Sequence, residues 1–428
     1  MIKVLSSAWA LLFGMMLLQV GNGLQGTLLG VRGEIEGFST FSMSLVMSGY
    51  FAGFLFGSKM APELIHRVGH VRVFAALGSL ISAVLILYPA MTNPWVWMLG
   101  RILIGFCFSG VYVTAESWLN NSSSNETRGQ ALSLYMIMQM LGIVSAQGIM
   151  VMADASGYVL FIIASVCVSV SFAPILLSVS PTPAYDTTKP MSLREIMRIS
   201  PLGCVGMLLL GGVFSAQFGM AAVYGAEAGL SVGQISTFVA TFYIGALVVQ
   251  YPLGYLSDRM DRRVLIMGAA LVTGAGAFIA MVLGGYFSML LLGAFLIGGT
   301  SNPLYSLLIA YTNDFLEQDD MAAAAGGMVF INGLGAVAGP LVTAWMMGAI
   351  GAHGYFLFIG LLMFTMAAYA AYRMTQRAAP SVEDTDSYTW VAPSASPMAV
   401  AFAQEYDIEA AEAEAEAEAA SGADRPEA

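Results

Sequence analysis

The sequence predicts an all-α integral membrane protein with twelve transmembrane helices, arranged as two six-helix repeats in parallel orientation. The composition is 58% hydrophobic and 10% charged over 428 residues, whereas soluble domains carry about 25% charged residues. The apolar residues fall into long stretches that approach or exceed the ~20 residues an α-helix needs to span a bilayer. Short runs of sequence also recur in the same order in the two halves of the chain.

Twelve apolar stretches account for most of the chain. They cover residues 5–29, 39–60, 73–91, 95–118, 130–152, 157–179, 201–224, 235–257, 264–284, 289–311, 324–350 and 355–373. An even number of spans places both termini on one side of the membrane.

The distribution of basic residues predicts which side that is. Five charged residues lie in the ten-residue loop 254–263, between the eighth and ninth apolar stretches. Lys and Arg are retained on the cytoplasmic face. Of the 16 Lys and Arg residues, only Arg32 falls in an outward loop and only Arg101 is embedded. We therefore expect a multi-pass protein of the inner (plasma) membrane with both termini in the cytoplasm.

Two hydrophilic segments divide the chain. Residues 180–200 contain three prolines and a short amphipathic stretch, so they predict a cytoplasmic linker between a half at 1–179 and a half at 201–377. Residues 378–428 hold 12 acids and one base, a composition typical of disorder. We expect this acidic cytoplasmic tail to be disordered.

The halves repeat each other in sequence. Ser39-Thr-Phe41 recurs as Ser236-Thr-Phe238, and the Leu99–Gly105 run recurs as Leu292–Gly298. Runs without gaps that keep the helix order indicate a duplicated six-helix unit.

The loop at 254–263 resembles the loop signature of the major facilitator superfamily of secondary transporters. The matching residues are Gly254, then Asp258-Arg259 after three residues, then the basic pair Arg262-Arg263. Asp261 stands where the family usually has Gly, and the counterpart at 57–72 is looser. The resemblance covers residues 1–377 and is strongest to little-characterised bacterial members. It implies a solute site near the membrane midplane, between two halves that alternate in access.

The resemblance also implies gating residues. Asp258, with Arg259, Arg262 and Arg263, is expected to pair with neighbouring helix ends when the cytoplasmic mouth closes. Glu116, followed by a polar loop and Arg128-Gly129, is similar to the inner end of the fourth helix in sugar-carrying branches. That similarity implies an inward gate of Glu116, Arg128 and a basic residue of the second loop, Arg67 or Arg72. The alternative is that Glu116 sits at a solvated helix end.

Polar residues inside apolar stretches are candidates for the solute site, because they are costly in hydrocarbon. Arg101 lies six residues past Trp95, and it either faces the central cavity or snorkels to the outer headgroups. By the resemblance, the first, fourth, seventh and tenth helices line that cavity. The predicted cavity residues are Asn22, Gln25, Arg101, Tyr112, Gln217, Tyr224, Asn302 and Tyr305.

Glycines recur on two of the predicted helices. Gly49, Gly53 and Gly57 are spaced by four, and Gly335 and Gly339 form a similar pair. Such faces allow close helix approach. They serve either static packing or sliding of one half on the other.

Other function classes find little support in the sequence. No Gly-Lys-Ser or Gly-Lys-Thr phosphate loop occurs, and the three histidines lie in loops, so neither an ATP-driven pump nor an intramembrane enzyme is indicated. His66 and His70 have the spacing of metal ligands, but Gly69 separates them. We expect no cofactor, no metal and no nucleic acid.

A monomeric carrier of a small solute in the bilayer fits the sequence best. Its alternatives are proton-coupled efflux or uptake, a passive facilitator, and a channel or sensor on the same fold.

Overall fold

The computed structural model describes residues 2–122, 128–177 and 191–377, together with residues 388, 390, 391, 399, 400 and 403 of the tail. Throughout these residues the regular structure is helical, with no strand. The α-helices are α1 Ile2–Ile35, α2 Thr40–Val68, α3 His70–Ala90, α4 Pro94–Ser122, α5 Arg128–Met150, α6 Val159–Leu177, α7 Leu193–Ile199, α8 Pro201–Ser215, α9 Ala221–Glu227, α10 Val232–Ser257, α11 Arg262–Leu283, α12 Phe287–Asn313, α13 Gln318–Ile350 and α14 Gly354–Gln376. A π-helical turn, Ala216–Met220, joins α8 to α9.

Ten helical segments within the described residues are long and apolar enough to cross a membrane. They are α2, α3, α4, α5, the α8–α9 unit, α10, α11, α12, α13 and α14. The apolar part of α6, Val159–Pro174, is shorter, and α1 is not among the ten. The predicted membrane protein is therefore confirmed, whereas the count of twelve spans stays a prediction.

Local sequence explains where several helices begin. The hydroxyls of Ser39 and Ser192 accept hydrogen bonds from backbone N–H groups three residues on. Ser231 and Gln234 form a reciprocal capping box at the start of α10. These contacts satisfy N–H groups that have no partner within the helix. Gly69, at φ +86°, separates α2 from α3, a conformation that favours glycine.

The glycines of α2 pack against α4. A Cβ added at Gly57 would lie 2.6 Å from the carbonyl oxygen of Phe106, and one added at Gly53 would overlap the carbonyl oxygen of Ile102. On the facing helix, Gly105 lies against the backbone of Tyr50 in the same way. Only glycine permits such close backbone approach.

Glycines in the second half also allow close contact between helix backbones. Gly298 of α12 lies against the backbone of Phe242 in α10, and Gly335 of α13 lies against that of Leu208 in α8. Both contacts, like that between α2 and α4, join helices of one half. The structure therefore favours static packing over sliding for the glycines identified in the sequence.

The same helix pairs pack in each half of the chain. In the first half, α1 contacts α5 and α6, α2 contacts α4, and α3 contacts α4 and α6. In the second half, α8 contacts α13 and α14, α10 contacts α12, and α11 contacts α12 and α14. The halves meet chiefly through α1 with α9, α5 with α10 and α2 with α13.

The two ends of the bundle differ in what they carry. We call the end where α2 joins α3 and α10 joins α11 the linker end, because α7 also packs there: Ile196 of α7 contacts Gly327 of α13. At the opposite end, Gly30 of α1 lies against Ala222 of α9, and Thr40 of α2 donates a hydrogen bond to Glu227. The halves are thus in direct contact at the end away from the linker.

Candidate solute-binding cavity

A cavity of about 140 Å³ lies between the two halves. A buried water needs about 10 to 15 Å³ of such space, so the cavity has room for on the order of ten waters or a small solute. Its walls come from α1, α2, α4 and α5 on one side, and from α8, the π turn, α10, α12 and α13 on the other. The polar lining residues are Gln19, Asn22, Thr27, Tyr50, Ser58, Arg101, Gln139, Gln147, Tyr243, Asn302 and Asn332.

Side-chain amides form a hydrogen-bonded network on the wall contributed by the first half. Gln19 Nε2 donates to Gln139 Oε1 at 2.7 Å, and Tyr112 Oη donates to Gln19 Oε1 at 2.8 Å. Asn22 Nδ2 lies 3.2 Å from both Gln19 Oε1 and Tyr112 Oη. This network fixes the orientation of the amides that face the cavity, because each depends on its neighbour.

Two further polar groups extend this wall. Gln25 Nε2 donates to Asn22 Oδ1 at 3.3 Å, while its own Oε1 is buried and accepts no hydrogen bond from the described part of the chain. Thr27 Oγ1 donates to Gln147 Oε1 at 3.1 Å. Asn22, Thr27 and Gln147 line the cavity, whereas Gln25 lies behind them.

Arg101 lies on the cavity wall and is 3% exposed. Its guanidinium carbon is 4.6 Å from the centre of the Tyr50 ring, and Nη2 is 3.6 Å from Met47 Sδ. Among the described residues, no acceptor is within hydrogen-bond distance of its Nε, and no carboxylate is within ion-pair distance of its guanidinium. This placement favours a cavity residue over one that snorkels to headgroups.

In the second half, the π turn carries Gln217, which was predicted to line the cavity but is not among its lining residues. Gln217 Nε2 donates to Ser301 Oγ at 2.7 Å. Asn302, one residue further on, lines the cavity and donates from Nδ2 to the carbonyl oxygen of Gly298 at 2.9 Å. Asn302 Oδ1 is buried and has no hydrogen-bond donor among the residues that the structure describes. Single π turns occur often at functional sites, yet the sequence carried no signal for this one.

Three tyrosines predicted to face the cavity lie elsewhere. Tyr224 stacks on Tyr355 with ring centroids 4.9 Å apart, in an aromatic cluster of α9, α10 and α14. Tyr305 packs near Phe214, and Tyr112 lies behind Gln19. None of the three is a lining residue. Tyr50 and Tyr243 line the cavity instead, because the direction of a side chain around a helix depends on packing that spacing alone does not give.

Glu116 is buried near the linker end of α4, with 1% exposure. Tyr135 Oη donates a hydrogen bond to its Oε1 at 3.2 Å. Glu116 is therefore not exposed to solvent at the end of α4, as the alternative interpretation required. Arg67 is exposed and pairs with Glu63 of its own helix, and the side chain of Arg128 lies outside the described residues. The predicted gate of Glu116 with Arg128 stays a prediction.

The basic pair Arg262-Arg263 was predicted to lie in a loop, but it begins α11 and ties together helices of the second half. Arg262, on α11, forms a buried ion pair with Asp314 at the end of α12 and donates from Nη1 to the carbonyl oxygen of Ala310 at 3.1 Å. Arg263 pairs with Asp261 at 2.7 Å. No local sequence pattern identifies Asp314 as the partner of Arg262, since Asp314 lies 52 residues further along the chain.

Asp258, Arg259 and Arg72 lie at the surface of the linker end. Arg259 stacks on Tyr255, 3.7 Å from its ring centre. Asp258 Oδ1 accepts a hydrogen bond from the backbone N–H of Tyr388 at 2.8 Å. Partial burial raises the pKa of the Asp258 carboxyl above its ordinary value, although the Tyr388 N–H and nearby arginines act in the opposite direction.

The two histidines with metal-like spacing have different environments. Both were predicted to lie in a loop, but His66 is in the last turn of α2 and His70 begins α3. His66 is exposed, whereas His70 is buried, with Nε2 3.2 Å from Ser117 Oγ. Within the described parts of the chain, no three His, Cys, Asp or Glu side chains are grouped so as to hold a metal ion.

Comparison with known proteins places this architecture in a family. The family model described as Major Facilitator Superfamily matches residues 11–233 and 202–403. "Uncharacterized MFS-type transporter YfkF" of Bacillus subtilis (strain 168) is 27% identical over 366 residues, covering 81% of this chain and 91% of the relative. "Uncharacterized MFS-type transporter YcaD" of Escherichia fergusonii is 24% identical over 358 residues, covering 83% of this chain and 92% of the relative.

Solved structures have the same fold at low sequence identity. The nucleoside transporter NupG (D323A mutant) is 13% identical with a TM-score of 0.70, covering 85% of this chain and 98% of the other. A bacterial homologue of the human lysosomal transporter Spinster is also 13% identical with a TM-score of 0.66, covering 95% of this chain and 98% of the other.

Proposed function

Because the chain belongs to the Major Facilitator Superfamily, we propose that it moves a small solute across the membrane by alternating access between two six-helix halves. Membership makes it a multi-pass membrane transporter and not an enzyme. The recurrence of the same helix contacts in the two halves supports a duplicated arrangement of twelve spans, with α1 and α6 as the two additional ones. The linker with α7 would join the halves.

The observation that carries the proposal is the position of the cavity. Both halves contribute to its walls, and polar groups that are costly in hydrocarbon converge on it. The halves touch at the end away from the linker, through Gly30 with Ala222 and Thr40 with Glu227. A solute bound in the cavity would exchange with the linker side in one state and with the opposite side after the halves rock.

The chemistry of the lining suggests the class of solute. The guanidinium of Arg101 is buried, and no carboxylate of the described residues pairs with it. A buried charge without a partner of opposite charge is unfavourable. An anionic group on the solute would neutralise it and accept its Nε hydrogen bond. The amides of Asn22 and Asn302 would bind polar groups, and Phe51, Phe54 and Phe218 would contact an apolar body. We therefore propose a small organic anion with an apolar part.

A passive facilitator and a proton-coupled carrier remain the two energetic alternatives. In the described part of the chain, no carboxylate lines the cavity, which favours the passive form. Glu116 is buried on α4 and hydrogen-bonded to Tyr135, which makes it the candidate for a coupling proton.

The direct test uses purified protein. A thermal-shift screen against organic anions, organic cations and neutral metabolites would identify a ligand. Uptake of that ligand into proteoliposomes would then be measured with and without an imposed proton gradient. Uphill accumulation that collapses with an uncoupler would eliminate the passive form, and saturable uptake without accumulation would eliminate the coupled one. Current or flux that does not saturate would contradict a carrier and favour a channel.

The proposed sidedness places the linker end in the cytoplasm of a cell with the protein in its plasma membrane. The support is the charge bias, since Arg194, Arg198, Arg259 and Arg377 all lie at that end. Alkaline phosphatase and a fluorescent protein, fused separately after Arg377, would test it. Active phosphatase with a dark fluorescent fusion would reverse the orientation.

A further inference from the structure

The acidic tail contains a stretch of different chemistry. Residues 387–404 carry no charged side chain, although acids precede the stretch and follow it. Tyr388, Trp390 and Val391 lie within it. An uncharged, partly aromatic segment inside a highly charged tail is unlike the rest of that tail, because it can bury its side chains at low desolvation cost.

Described residues of this stretch pack against the hydrophobic core of the protein. Val391, Ala399, Val400 and Ala403 are each 3% exposed or less and belong to the hydrophobic core. Trp390 packs against the same core. These residues are therefore docked on the membrane domain.

Specific hydrogen bonds fix the position of the segment. Ser306 Oγ of α12 accepts a bond from the Val391 N–H at 2.8 Å and donates to the Val391 carbonyl oxygen at 3.0 Å. The Tyr388 N–H donates to Asp258 Oδ1 at 2.8 Å. A Cβ added at Gly254 would lie 2.8 Å from Tyr388 Cδ1. The absence of a side chain at Gly254 leaves room for the Tyr388 ring beside α10.

The docking site is on the route between the cavity and the linker end. Ser306 follows Asn302, a cavity residue, by four positions, so both lie on one face of α12 about 6 Å apart along its axis. Val391, bonded to Ser306, thus lies on the linker side of the cavity. Asp258, which the family signature associates with closure at this end, is engaged by Tyr388.

We propose that the part of the tail that holds Tyr388, Trp390 and Val391 is an autoinhibitory strap. These described residues dock on the linker side of the cavity, where Tyr388 and Val391 contact α10 and α12, and they must leave before the halves can close at the linker end. The docked strap engages Asp258 and covers the cavity-facing side of α12. Its release would allow the transport cycle to proceed. The effect on transport rests on the proposed function, whereas the docking itself does not.

The docking is tested by cross-linking, in the full chain with its three native cysteines replaced by alanine. Ser306→Cys paired with Val391→Cys is expected to form a disulfide under mild oxidation. The matched control pairs Val391→Cys with Thr312→Cys, since Thr312 faces Ser200 instead and is expected not to cross-link. Equal cross-linking of both pairs, or of neither, would overturn the docked position.

The blocking of the cavity is tested by thiol labelling, which needs no known solute. Ser58→Cys lines the cavity on α2, and a charged thiol reagent would reach it from the linker end. Val391→Asp places a charge at a position that is 2% exposed and is expected to release the strap. The control Ala411→Asp adds the same charge to the terminal acidic run. Faster labelling with Val391→Asp alone supports the strap, and equal labelling rates would overturn it.

Transport provides the third measurement. The rate measured is the initial uptake of the solute identified by the thermal-shift screen. Val391→Asp is expected to increase this rate by roughly 5- to 150-fold, the range typical of coupling between two sites. Ala411→Asp is expected to leave it unchanged. Cross-linking and labelling as expected, with equal uptake rates in all three proteins, would overturn autoinhibition while keeping the docking. Absence of uptake in every protein, with labelling still faster for Val391→Asp, would refute the proposed function and leave the strap in place.

Discussion

Replacing Arg101 gives opposite expectations for stability and for binding, and this separates a solute-binding arginine from a structural one. The guanidinium is buried, lies over Tyr50 and has no carboxylate partner within the described residues. Burying an unpaired charge is costly, and replacing a buried charge with an apolar residue of similar volume is often neutral or stabilising. Arg101→Met should therefore leave the thermal unfolding midpoint unchanged or raise it.

The same substitution should weaken binding of an anionic solute. A hydrogen bond to a charged group contributes about 1.5 to 3 kcal/mol, which corresponds to a roughly 10- to 150-fold change in affinity. Arg101→Lys retains the charge but lacks the planar fork and most of the stacking on Tyr50, so its affinity should fall between those of the wild type and Arg101→Met. Competition binding in detergent and initial uptake rates in proteoliposomes would give both values.

Two results would refute this reasoning. A lower unfolding midpoint in Arg101→Met, with solute affinity unchanged, would assign Arg101 to the fold. Full recovery of affinity by Arg101→Lys would show that binding needs the positive charge but not the planar guanidinium. Gln147→Glu is a second test, because it places a carboxylate on the cavity wall. At matched expression, this variant should bind an anionic solute more weakly than the wild type.

Three further predictions concern packing, the linker-end ion pair and coupling. Gly53→Ala should destabilise the protein by about 1 to 3 kcal/mol, because its Cβ would overlap the backbone of Ile102; Gly148→Ala, which meets no atom within 4 Å, should be neutral or stabilising in thermal unfolding. Asp314→Asn should lower the free energy of unfolding by about 3 to 5 kcal/mol, since it removes the carboxylate that pairs with the buried Arg262 charge. Glu63→Gln, at the exposed pair with Arg67, should lower it by less than about 1 kcal/mol. Equal shifts in the unfolding midpoint of the two variants would contradict this reasoning from burial. Glu116→Gln should abolish proton-driven accumulation and keep solute counterflow if Glu116 carries the coupling proton, so accumulation at the wild-type level would exclude it.

The sequence by itself determined the membrane location, the helical class and the family. These follow from the length of apolar stretches, the sign of the loop charges and a short loop signature, all of which are local along the chain. The sequence also selected Asn22, Arg101 and Asn302, since a polar group inside an apolar stretch is conspicuous without any knowledge of packing.

Only the tertiary structure decided which polar groups face one cavity and which pack behind it. Gln25, Tyr112, Gln217, Tyr224 and Tyr305 are embedded in helices as expected, but none lines the cavity, because the direction of each side chain is set by how neighbouring helices pack around it. The ion pair of Arg262 with Asp314 and the contact of Val391 with Ser306 join residues 52 and 85 positions apart. Contacts of that kind depend on how distant helices are brought together, which no local pattern of residues specifies.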